Sequence, residues 1–170
     1  MSVLTVRAAE MPRDLPVVQE LCWEYRAFLL GFDADMRDIV EAFYPQDAYR
    51  LLMADLPVKH ARPRGEIMLI QDGETPFGCG MIQPLSETDG EVKRVFIRAD
   101  ARGSGAGEML SRALIAQARA DGYLRLLLDT SAKFTTAQKL YEKLGFERRG
   151  PYSDLPPDTE QHLVFYELNL

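Results

Sequence analysis

The chain has 170 residues, 46% of them hydrophobic, and a formal charge of −6. That length is read as one domain, residues 1–170, with a real core, and the ordinary composition leaves no low-complexity tract. The acidity argues against a nucleic-acid partner, because neutralising phosphates takes clustered Lys and Arg, and no apolar run is long enough to span a membrane.

Val3 to Ala8 alternates and predicts a first strand. Met1 to Leu15 lacks a basic stretch followed by an apolar one, so no signal peptide is expected and the cytoplasm is the default location. From Asp14 to Leu30 the apolar residues Val17, Val18, Leu21, Cys22, Tyr25, Phe28 and Leu29 recur at helical spacing, and Gly31 is the expected stop. Asp33 to Leu56 predicts one or two shorter helices, broken at Pro45 and ended by Pro57. Glu66 to Gln71 and Phe77 to Leu85 flank the turn signal Asp72-Gly73-Glu74 and predict a hairpin, followed by a strand from Glu91 to Ile97. A helical pattern from Glu108 to Ala120 ends at Asp121-Gly122, with Gly122 placed as the residue after the C-cap. Tyr123 to Asp129 is a mostly apolar strand suited to a sheet centre covered on both faces. The next helix begins near Thr135, with Gln138 three residues on as a capping box, and Gly145 closes it. Phe146 to Arg149 and His162 to Leu168 predict the last strands, with an acidic loop from Tyr152 to Glu160 between them. The sum is an α/β (α+β) chain with a mixed sheet of about seven strands and helices on both faces.

Cys22 and Cys79 stand far apart in no paired motif and read as small buried residues. His60 and His162 have no ligand-type neighbours at metal-binding spacing, so no metal site is expected.

The chemistry concentrates between the strand ending at Ile97 and the helix beginning near Glu108, in Arg102-Gly103-Ser104-Gly105-Ala106-Gly107. A strand, a glycine-rich turn and a helix make a phosphate site: glycines let the backbone come close to an anion, and the first N–H groups of a helix lack intrahelical partners. A Walker A loop ends in Gly-Lys-Ser/Thr, whereas Gly107 is followed by Glu108 and Met109. A dinucleotide fingerprint needs G-x-G-x-x-G in the first strand–helix unit, and this loop is one residue short and sits after three earlier strands.

Arg102-x-x-Gly105-x-Gly107 does match the Arg/Gln-x-x-Gly-x-Gly/Ala loop of GNAT-superfamily N-acetyltransferases. Ala137-x-x-Leu140-Tyr141-x-x-x-Gly145-Phe146 resembles that family's second signature, and Glu91 to Arg98 resembles its fourth strand. A finer resemblance, to a bacterial subgroup of undefined substrate, rests on the Glu-x-Lys-Arg strand, on Leu128-Asp129-Thr130 and on Pro151-Tyr152. Two positions depart from the pattern: Phe134 stands where many relatives have Asn, and Ala99 where many have Pro.

The resemblance implies the GNAT acyl-CoA N-acyltransferase fold, with the fourth and fifth strands splayed and acetyl-CoA as cosubstrate. Pantetheine would then pair with backbone at Val95, Phe96 and Ile97, and the N–H groups of Gly103, Ser104, Gly105, Ala106 and Gly107 would cradle the pyrophosphate, with Arg102 beside them. Tyr141 would protonate the departing thiolate, or else simply pack on the apolar stripe with Ala137 and Leu144. Glu91, acting through a water, would deprotonate the amine, or Asp129 would bind or deprotonate it, or else either is simply a solvated strand-end carboxylate; strand backbone near Val95 would face the oxyanion. Neither cysteine sits in a nucleophile setting, so direct attack in a ternary complex is expected. The acceptor is expected to be a primary amine of a small molecule or peptide. The first two helices and the late loop carry Glu24, Asp33, Asp35, Asp38, Glu41, Asp47, Asp154, Asp158 and Glu160, which fit a cationic acceptor or ordinary solvated faces. The alternatives are a catalytically silent acyl-CoA sensor or partner-binding module on the same fold, and an enzyme using a longer acyl chain. A homodimer is an expectation from such folds, with no segment of the chain pointing to one.

Overall fold

The computed structural model describes residues 3–170, so Met1 and Ser2 of the stretch read for a leader lie outside the described residues. The chain runs β1 (Leu4–Ala8), α1 (Leu15–Phe32), α2 (Ala34–Phe43), α3 (Gln46–Lys59), β2 (Glu66–Asp72), β3 (Thr75–Pro84) and β4 (Asp89–Ile97). It continues through α4 (Ala106–Ala120), β5 (Arg125–Ser131), α5 (Thr135–Lys143), β6 (Glu147–Arg149) and β7 (Leu163–Asn169). The strands form one seven-stranded sheet in the order β1-β2-β3-β4-β5-β7-β6, antiparallel throughout except for β4 beside β5. No helix among the described residues is long and apolar enough to cross a membrane.

Three local expectations are corrected. Gly31 does not stop α1, which runs on to Phe32. The break comes at Asp33, whose extended backbone ends one helix and whose side chain accepts the Met36 N–H (2.8 Å) to start the next. Pro57 does not stop α3 either. A helical proline strands the carbonyl four residues back, here Met53, and Gln19 Nε2 donates to that carbonyl at 2.9 Å from the neighbouring α1. Thr135 and Gln138 form no capping box: the N-cap is Phe134, and Gln138 Nε2 instead donates to the carbonyls of Ser131 (2.9 Å) and Ala132 (3.0 Å).

The sheet is covered on both sides, which is why β2 is buried at five successive residues. Met68, Ile70, Ile82, Val92, Leu126 and Leu128 face the core built with α4 and α5. Ile67, Leu69, Cys79, Met81 and Phe96 face the core built with α1 and α3. Cys22 and Cys79 are both buried there as free thiols.

β4 breaks this alternation. It pairs Lys93 with Met81 and Phe96 with Cys79, so two residues on β4 oppose Gly80 alone, and Arg94 takes φ +51°. This is a β-bulge, and it shifts the side-chain parity. Val92 lies on the α4 face, Val95 and Ile97 return to that face, and Phe96 lies on the other. The flanking Lys93 and Arg94 are consequently both turned toward the α1 face.

Candidate active site

β4 and β5 run together only at Asp89↔Arg125, Gly90↔Leu126 and Glu91↔Leu127. Beyond Glu91 they part. From Val92 to Ile97, β4 has no strand partner on its β5 side, and β5 from Leu128 onward is held only by β7. The gap is a cleft of about 540 Å³ lined by Val92 to Ile97, Leu128 to Thr130, the first turns of α5, and Phe28 and Phe32 of α1. Val95, Phe96 and Ile97 all line it, as expected for an edge that pairs with an extended ligand.

The glycine loop follows directly. Gly103 (φ +81°) and Gly105 (φ +84°) adopt left-handed backbone that other residues resist, and both are exposed, as is Ser104. Ala106, the first residue of α4, is buried. The first helical bond here is from Met109 N–H to the Gly105 carbonyl (3.0 Å), leaving the N–H groups of Ala106, Gly107 and Glu108 without helical acceptors. No side chain caps this end. The loop residues do not line the cleft themselves; Arg102 links the two. Its guanidinium folds back, Nε donating to the Ile97 carbonyl (3.0 Å) and Cζ lying 4.4 Å from the Phe28 ring centroid.

Phe134 packs on Phe28 and Phe32, with ring centroids 5.9 and 5.0 Å away. Phe134 is thus an aromatic wall of the cleft.

Tyr141 projects from α5 into the same cleft and is 9% exposed. Its ring packs edge-on against Phe146 (5.6 Å), so it has the packing role as well. Burial first, then the negative charge of Asp129, pushes its phenol up to about 12, which keeps it protonated at neutral pH.

Glu91 does not line the cleft. It is 6% exposed, with Oε1 accepting from Gln83 Nε2 (2.7 Å) and Oε2 from the Tyr152 hydroxyl (2.6 Å). Asp129 does line it, and also lines a second, inner compartment formed with Tyr25, Met36, Ile39, Val40 and Tyr44. Burial raises the Asp129 pKa, the Lys93 ammonium pulls it back, and the charge of Glu91 raises it further. Tyr152 joins the two carboxylates, its hydroxyl 2.6 Å from Glu91 and 3.4 Å from Asp129.

Lys93 and Arg94 have no role in the sequence reading beyond marking a subgroup, and Tyr152 stands there only as such a mark and as the start of the loop expected beside the acceptor. None of the nine acidic residues noted for a cationic acceptor lines either compartment. Glu24 pairs with Arg98, Asp33 and Asp35 with Lys133, and Asp47 with Arg50. His162 lies at a small pocket beside Asp35 and Lys133.

Residues 32–146 match the model of the acetyltransferase (GNAT) family. An IAA acetyltransferase of Azospirillum brasilense is 38% identical over 116 residues, which cover 68% of this chain and 74% of that protein. An uncharacterized N-acetyltransferase of Schizosaccharomyces pombe is 26% identical over 157 residues, covering 91% and 90%. Among solved structures, yncA of Salmonella typhimurium, determined with its cofactor acetyl-CoA, superposes with a TM-score of 0.73. It is 16% identical to this chain, with 98% of this chain and 94% of that one covered, a likeness of fold alone. The family model and these relatives show that the chain belongs to the GNAT family and is an N-acetyltransferase.

Proposed function

We propose that this protein transfers the acetyl group of acetyl-CoA to a primary amine by direct attack in a ternary complex. The observation that carries the reading is the parting of β4 and β5 after Glu91 and Leu127, which opens a bare strand edge onto the buried Tyr141. The chain's residues suit the cosubstrate: from Val92 to Ile97 β4 has no strand partner on its β5 side, and the Gly103–Gly107 turn with the start of α4 offers N–H groups to a pyrophosphate. Acetyl-CoA supplies the acyl thioester.

An amine is protonated at neutral pH and must lose a proton before it attacks. Asp129 lines both compartments and its pKa is raised, so it is the group suited to take that proton. Glu91 accepts the Tyr152 hydroxyl proton (2.6 Å) and so holds that hydroxyl beside the Asp129 carboxylate, while its own negative charge helps to raise the Asp129 pKa. Backbone beside the Arg94 bulge, off the regular ladder, faces the carbonyl oxygen where negative charge develops. As the carbon–nitrogen bond forms and the carbon–sulfur bond breaks, Tyr141 gives its phenolic proton to the leaving thiolate and is restored by the second proton that the nitrogen sheds, while the first passes from Asp129 to solvent.

The test is a thiol-release assay with acetyl-CoA against a panel of amines, run beside Tyr141→Phe. The variant is expected to lower kcat by about 10²-fold or more with little change in the KM for acetyl-CoA. Unchanged turnover would remove Tyr141 from the chemistry. Tight acetyl-CoA binding with no turnover on any acceptor would return the chain to the silent-sensor reading.

A further inference from the structure

The inner compartment holds two opposite charges that the protein itself leaves unmatched. Arg94 is 7% exposed, yet no carboxylate among the described residues pairs with it. Its Nη1 donates to His60 Nε2 (3.3 Å) and lies 3.9 Å from Met81 Sδ, while its Nε has no partner. His60 is no substitute for an anion. Its Nδ1 must donate to the Ile82 carbonyl (2.8 Å), which leaves Nε2 as a neutral lone pair. A buried guanidinium without a counter-charge is costly, and one that lines a cavity is the expected partner of an incoming anion. Asp129 mirrors it: among the described residues no cation lies in ion-pair contact with its carboxylate, and the Tyr152 hydroxyl 3.4 Å away gives its proton to Glu91 at 2.6 Å. Lys93 is engaged elsewhere, 3.8 Å from Glu91.

Both unmatched groups line the same compartment; on its α1–α2 side the wall is apolar, with Leu29, Met36, Ile39 and Val40, while Lys93, Thr130 and Ser131 line it on the sheet side. Resting on the acetyl-transfer reading above, we infer that the acceptor is a zwitterionic α-amino acid with an apolar side chain. Arg94 binds its carboxylate, Asp129 receives its ammonium, and the side chain lies against α1 and α2. A polyamine is a poor match, because its second ammonium would face Lys93 and Arg94.

The experiment compares L-phenylalanine, L-methionine and L-leucine with phenylalaninamide, phenethylamine and spermidine as acceptors. The wild type should favour the carboxylate-bearing amines in kcat/KM by about tenfold to a hundredfold, and Arg94→Gln should abolish that preference without moving the KM for acetyl-CoA. Equal or better use of the amide, the simple amine or spermidine overturns the inference, as does an Arg94→Gln enzyme that keeps the preference. A second measurement needs neither turnover nor the variant. Calorimetry on CoA-loaded wild type should show N-acetyl-phenylalanine binding at least about tenfold more tightly than N-acetyl-phenylalaninamide. Equal affinity, or no binding of the carboxylate, refutes the assignment. The affinity for CoA itself, measured in the same titration, decides the acyl-transfer reading separately.

Discussion

His60 should make this protein lose stability in mild acid. The side chain is 4% exposed, and burial first, then the nearby charges of Arg94, Lys59 and Lys93, hold its pKa down at about 4 despite the bond to the Ile82 carbonyl. In the unfolded chain the group titrates near its ordinary 6.5. Between those two values the unfolded state carries the proton and the folded state does not. Unfolding then takes up a proton, so stability is full above 6.5 and falls as pH falls toward 4. Applied to a single site, proton linkage gives a loss of about 2 kcal/mol between pH 7 and pH 5. The carboxylates held low by arginines, Asp14, Asp89 and Asp121 among them, weaken only at lower pH, whereas Glu66 and Asp129, held high, act in the opposite direction. The comparison is therefore made against His60→Asn, whose amide can keep the bond to Ile82 but cannot titrate. Urea unfolding of both proteins, followed by circular dichroism at pH 7, 6 and 5, should show the parent losing about 2 kcal/mol more than the variant. Parallel losses would refute the neutral, buried assignment of His60.

Asp129→Asn should abolish most turnover yet raise the unfolding midpoint at pH 7, since a carboxyl whose folded pKa is raised costs stability once it is ionised; a destabilised variant would contradict this. In the wild type, kcat should fall as pH drops through the raised Asp129 value, a profile missing from the residual activity of the variant. Gly105→Ala meets no atoms within 4 Å but must hold φ +84°, so it should cost about 1 kcal/mol of stability and raise the KM for acetyl-CoA at unchanged saturating kcat. An unaltered KM would detach the loop from the cosubstrate. Gln19→Ala should cost about 1–2 kcal/mol in thermal or urea unfolding, because it strands the Met53 carbonyl beneath Pro57; a neutral result would mean that water reaches that carbonyl.

Much of the fold was legible because its signals are local. The helix of α4 announces itself by a turn that needs glycines, Gly103 and Gly105 at positive φ, and ends at Gly122, also at positive φ. The strands of the sheet centre are apolar runs of the expected length. The misread boundaries have a tertiary cause. Pro57 stays helical only because Gln19, on another helix, satisfies the carbonyl it strands. Gln138 carries the spacing of a capping residue but spends its amide on the chain end of β5. In the site, Tyr141 and the β4 edge were found from motifs. The coupling of Glu91 to Asp129 was not, because Tyr152 enters from a loop 61 residues away in the chain.

The bulge in β4 shows why the acceptor side stayed hidden. Read as a regular strand, Glu91 to Ile97 would alternate, placing Lys93 on one face and Arg94 on the other with Val92. No glycine, asparagine or proline in that stretch signals a break, and an arginine at φ +51° is not a residue that pattern reading would choose for one. The inserted residue turns Lys93 and Arg94 to the same side, toward α1 and α2. It does this where β4 leaves β5, so one irregularity frees backbone for the acyl donor and delivers a cation to the acceptor's compartment. Strain at a non-glycine left-handed residue persists only when its surroundings hold it. Here the holders are the His60 lone pair, the Tyr44 ring 5.9 Å from the guanidinium carbon, and the Cys79 thiol 3.6 Å from the Arg94 carbonyl. Those contacts fix where the guanidinium sits but leave its charge unanswered, which is the condition for its selecting an anionic group on the substrate.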